Sequence, residues 1–158
     1  MHADVPMIRK QNGSGLVVVL IALAVVTILS GAIANMVMAN LKLTKHQENG
    51  IKAYYLALTG VDLGVAALLQ EGVFGETDTL LQKHFSVAAH ANVADAPVLQ
   101  DTVPLDGGET RIEIRAVTVS GQRWVRVYAD GVLTGGQSRS TALRMLAANP
   151  SIVVREQN

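Results

Sequence analysis

The 158-residue sequence contains no cysteine. It therefore cannot form a disulfide framework or a thiolate metal site, and this lack is compatible with export. Net charge is absent as well. Thirteen basic and 13 acidic residues cancel, and no basic tail or patch is large enough to point to nucleic acid. The most telling absence is local. No charged residue lies between Lys10 and Lys42, so the whole segment 11–41 is uncharged. As an α-helix rising ~1.5 Å per residue it would be roughly 46 Å long, against a bilayer hydrocarbon core of ~30 Å.

That segment is filled by Leu16, Val17, Val18, Val19, Leu20, Ile21, Leu23, Val26, Ile28 and Leu29, the expected surface for membrane insertion and helix packing. Each Leu, Ile or Val near the centre of such a helix favours insertion by roughly 0.3–0.6 kcal/mol. Arg9 and Lys10 are the last charges before it. By the positive-inside rule they hold the N-terminus in the cytoplasm and send the C-terminal part out. A secretory signal would have a shorter apolar core followed by a small-residue cleavage site. Here the run is too long, and the small residues Gly13-Ser14-Gly15 precede it. Thr27, Ser30, Gly31 and Asn35 lie on its second half. Small, weakly polar residues are ordinary in membrane helices, and they also let neighbouring helices approach closely. Asn35 at membrane depth calls for a partner.

Lys42, Lys45 and His46 mark the exit from the membrane, and Asn49-Gly50 is a turn or helix-break signal. A helical period then resumes, with Ile51, Tyr54, Tyr55, Leu58, Val61, Val65, Leu68 and Leu69 on one stripe. The expectation is one long helix from about Gly15 to Leu69, with a possible kink near Gly50, whose second half buries Ile51, Tyr54, Tyr55, Leu58, Val65 and Leu68. Gly72 and Gly75 end it. A short helix is expected over Thr79 to His84, then an Ala-rich, Pro-marked loop. His84 and His90 lack a carboxylate cluster with ligand spacing, so they read as solvated surface.

The last third reads as strands over Thr110–Val119, Gln122–Ala129 and Ser138–Ala147, joined by Ser120-Gly121 and Gly135-Gly136. An antiparallel meander needs one face covered, and the helix at 51–69 is the only long amphipathic element available. The fold class is α+β: a long N-terminal helix, half membrane-spanning and half amphipathic, packed on a small antiparallel meander. Residues 150–158 would add an edge strand. Arg111, Arg115, Arg123, Arg126 and Arg139 read as a solvated sheet face. No Ser/His/Asp, paired-carboxylate or phosphate-loop constellation occurs, so the expectation is a chain that is not an enzyme and has no cofactor.

The segment Arg9-Lys-Gln-Asn-Gly-Ser-Gly-Leu-Val-Val-Val-Leu20 resembles the leader and helix start of the type IV pilin class, most closely the PilX-type minor pilins. Ala53-Tyr-Tyr-Leu-Ala-Leu-Thr-Gly60 is similar to a second pattern of that family, Ala-Phe-Tyr-Ala-Ala-Glu-Ala-Gly. The likeness covers about residues 9–70. It implies a pilin-like fold with a leader at 1–13, a transmembrane or filament helix at 14–50 and a head at 51–158. It implies cleavage by a prepilin peptidase between Gly13 and Ser14, followed by N-methylation of Ser14. The implied partners are other pilins or minor pilins, the prepilin peptidase, the inner-membrane assembly platform and membrane lipid. The implied location is the inner membrane, single-pass with the C-terminal part outside the cytoplasm, and later the pilus or cell surface. Two positions depart from the family. Val18 stands where most pilins carry Glu, and Leu58 replaces the Glu of the second pattern. Lack of the first carboxylate, the usual partner of a neighbour's terminal amine, fits a tip or initiating position. The alternatives are a K-type-like minor pseudopilin of type II secretion, or an uncleaved bitopic membrane protein with an extracytoplasmic binding domain.

Overall fold

The computed structural model describes residues 14–71 and 78–156. Helix α1 runs unbroken over Ser14–Leu69, 56 residues. The chain divides at Lys45/His46 into two compact units. The first unit is the apolar part of α1. The second holds the rest of α1 and a five-stranded antiparallel sheet of strand order β1-β2-β3-β4-β5. Its strands are β1 Leu99–Leu105, β2 Gly108–Val119, β3 Gln122–Leu133, β4 Ser138–Leu146 and β5 Asn149–Glu156. The helix packed on the meander is therefore the observed architecture, with a fourth and a fifth strand at its two edges.

The turns follow local chemistry. Ser120 and Gly121 both have positive φ, 51° and 75°, the pair of conformations that a two-residue hairpin turn needs to match strand twist. Between α1 and β1, Thr79 and Gln82 satisfy each other reciprocally. The Thr79 N–H donates to Gln82 Oε1 at 3.0 Å, and the Gln82 N–H donates to Thr79 Oγ1 at 3.2 Å. This pair opens a short π-helical turn at Leu81–Phe85, where the short helix over Thr79 to His84 was expected, and it drops Leu81 and Phe85 into the core.

Val61, Leu68, Phe85, Ile112, Ile114, Val125, Val127 and Met145 make up most of that core. Each such side chain, fully buried, contributes about 1.5–3 kcal/mol. The expected helix stripe is corrected here. Val61 and Leu68 are buried and Val65 and Leu58 half-buried, but Ile51, Tyr54 and Tyr55 are exposed. The face against the sheet is instead Gly50, Ala53, Ala57, Gly60, Val61, Gly64 and Leu68. The reason is steric. A Cβ built on Gly131 of β3 would strike Ala53 O and Ala57 N, and one on Gly64 would lie 2.6 Å from Val127 Cγ1. Backbone meets backbone at this seam, so large residues at 51, 54 and 55 have no room there. Gly50 likewise does not break the helix. It lies under Gln137 and Arg139, and Gln137 Nε2 donates to His46 O at 3.1 Å. Gly72 and Gly75 lie outside the described residues; α1 ends at Leu69.

Candidate functional site

The surface with the clearest physical demand is the first unit of α1. Leu16, Val17, Val18, Val19, Leu20, Ile21, Leu23, Val26, Ile28 and Leu29 are all exposed. The helix is long and apolar enough to cross a membrane, with a mean hydropathy of 3.0 and 0% burial over its best window. In water an apolar surface this large is unfavourable, at about 25 cal/mol for each Å². Lipid or other apolar helices remove that cost.

The polar groups on this surface are nearly silent. Thr27 Oγ1 donates to Leu23 O at 2.8 Å, and Thr44 Oγ1 to Asn40 O at 3.0 Å, so both hydroxyls are satisfied within the helix. Asn35 makes no hydrogen bond through its side chain among the described residues. Asn40, later in the run, likewise has no side-chain partner among the described residues, so these two amides are the strongly polar side chains left to find an outside partner. The first acidic residue after Ser14 is Glu48, which pairs with Lys52 at 2.6 Å. The helix therefore has no carboxylate in its apolar part. Ser14 is the first helical residue, and Gly13 lies outside the described residues.

The arginines of the sheet do not form one solvated face. Arg123 is half-buried and donates to three loop carbonyls, Ser86 O at 2.8 Å, His90 O at 2.6 Å and Ala91 O at 2.9 Å. It ties the segment before β1 to the start of β3. Arg115, Arg126 and Arg144 stand opposite one another across β2, β3 and β4. Such a row of like charges is destabilising unless neutralised. Glu156 of β5 does this for two of them. It accepts from Arg126 Nε at 2.7 Å and stands 2.8 Å from Arg144 Nε. Arg111 pairs with Glu109 at 2.6 Å, and Arg139 is exposed beside Gly50.

His84 stands edge to face with Phe85, their rings 6.5 Å apart, while His90 contributes its carbonyl to Arg123. No group of three or more His, Cys, Asp or Glu side chains is placed to hold a metal ion among the described residues. The groove over Gln100, Arg111, Glu113, Tyr128 and Asp130 has a volume of about 360 Å³. The small-residue seam was the signal to read in the sequence. Gly50, Ala53, Ala57, Gly60 and Gly64 recur at three- and four-residue steps, and the family-like stretch 53–60 places Ala53, Ala57 and Gly60 on that seam.

No protein-family model matches the chain, and neither do curated proteins or solved structures at a significant level of similarity.

Proposed function

We propose that the chain is a minor type IV pilin, a non-enzymatic structural subunit that serves pilus assembly or priming. The observation that carries this reading is a single unbroken helix with two environments. Its first unit exposes apolar side chains and no charge up to Lys42, and its second closes a sheet. Such a chain is stored with its first unit in the bilayer and its head outside the cytoplasm. In assembly the same apolar surface passes from lipid contacts to contacts with other helices, and a separate ATPase supplies the work. Asn35 then finds its partner in a protein bundle rather than in lipid.

The leader supports the same reading. Hydrolysis after Gly13 leaves Ser14 as the new terminus, and glycine suits a peptidase that must hold an extended backbone with no side chain at the cut. A subunit with Val18 in place of Glu offers no carboxylate to the terminal amine of a neighbour. This suits an end position in the filament better than a repeated one.

The test is intact mass after coexpression with a prepilin peptidase. The proposal expects loss of residues 1–13, with Gly13→Ala slowing the cut. An intact Met1 with active peptidase present overturns it in favour of an uncleaved bitopic protein. A cut beyond Leu29 overturns it in favour of an ordinary signal.

A further inference from the structure

β5 is joined to the head more loosely than the four strands before it. No residue of β5 belongs to the hydrophobic core, and Ile152, Val153 and Val154 are each 43–44% exposed. Its pairing is interrupted as well. The register passes from Leu146↔Asn149 directly to Met145↔Val153, so Pro150, Ser151 and Ile152 bulge with no residue of β4 opposite them. Pro150 has no N–H, and the Ser151 N–H turns back to Asn149 Oδ1 at 3.2 Å. Beyond this bulge only Val153–Glu156 lie in register, against Ala142–Met145. Side chains hold this short ladder at one point, Glu156. Its Oε2 accepts from Arg126 Nε at 2.7 Å, and its Oε1 stands 2.8 Å from Arg144 Nε. The second contact is imperfect. Arg144 Nε is buried and makes no hydrogen bond, although the carboxylate is close enough for an ion pair. A buried donor without a bond is a cost of the closed arrangement, and opening lets water satisfy it.

We infer that Val153–Glu156 is a strap that lifts from β4 while the rest of the head stays folded, with Glu156 as its latch and the bulge at 150–152 as its hinge. Segments with few buried apolar contacts open locally, without global unfolding. This one has exposed side chains, a ladder of four residue pairs and a single charged tie. Lifting it bares the edge of β4 over Ala142–Met145 and leaves Arg126 and Arg144 without their carboxylate. The inference concerns the sheet alone and does not depend on the proposed function.

The experiment is amide hydrogen exchange, resolved by NMR on the full chain in detergent, at several urea concentrations below the unfolding transition. The amides of 153–156 that face β4 are expected to exchange faster than those of Val125–Ala129. Their rate should barely respond to urea, because lifting the strap exposes so little surface. Two variants separate the strap from global unfolding. Ile112→Val, a core change two strands from β4, should speed exchange of the core amides about fivefold and leave 153–156 unchanged. Glu156→Gln should speed 153–156 roughly tenfold, the order expected when a hydrogen bond to a charged group is lost, and still with little response to urea. The inference is overturned if 153–156 follow the core amides in urea and in Ile112→Val, so that β5 opens only when the head unfolds. It is equally overturned if Glu156→Gln leaves exchange at 153–156 unchanged.

Discussion

Gly131 is held to its identity by what touches it. Its α-hydrogens face Ala53 O and Ala57 N across the seam, and any side chain there must lift the helix from β3. Gly131→Ala is expected to destabilise the head by about 2 kcal/mol or more, the range of an overpacked core. Thr110 sits on the same seam with the opposite expectation. It is fully buried, and its Oγ1, lying against Gly60, has no hydrogen-bond partner. A buried hydroxyl without a partner is a cost, so Thr110→Val should be neutral or stabilising by up to ~1 kcal/mol. Trp124, the chain's single tryptophan, lies in β3 and reports both changes through its fluorescence during urea unfolding of the full chain in detergent.

Among the elements, β5 does more than lengthen the sheet. Glu156 neutralises Arg126 and Arg144, and all three side chains are less than a third exposed. Glu156→Gln should leave two poorly hydrated guanidinium groups face to face and lower stability by about 1–3 kcal/mol. Glu109→Gln, which removes only the exposed pair with Arg111, should change it by less than ~1 kcal/mol. The same urea midpoint distinguishes the two. β5 and the central strands were legible in the sequence because their apolar residues alternate or cluster between turn residues. β1 was not. Asp101 and Pro104 interrupt its pattern, and both are tolerated only because the strand is an edge. The seam of α1 was misread for a related reason. Periodicity weighs large apolar residues, whereas the closest helix–sheet contact is made by Gly60, Gly64 and the alanines, which carry almost no hydrophobic signal. Ile51, Tyr54 and Tyr55 share the helical period but are turned away from the sheet.

For the whole molecule, one covalent helix links a unit that water cannot solvate well to a head with its own core. The expectation of a membrane-capable helix needed only the uncharged run 11–41. Under the proposed function, the polymer that the helix enters is set by contacts that no single chain contains, and the amides of Asn35 and Asn40 are the polar groups of the run left for them. The most direct measurement is mass spectrometry of purified filaments and of their precursor complexes from cells with an active prepilin peptidase. The account predicts this polypeptide in those fractions, beginning at a methylated Ser14. Its absence from them, with the chain still starting at Met1 in the membrane, would contradict it.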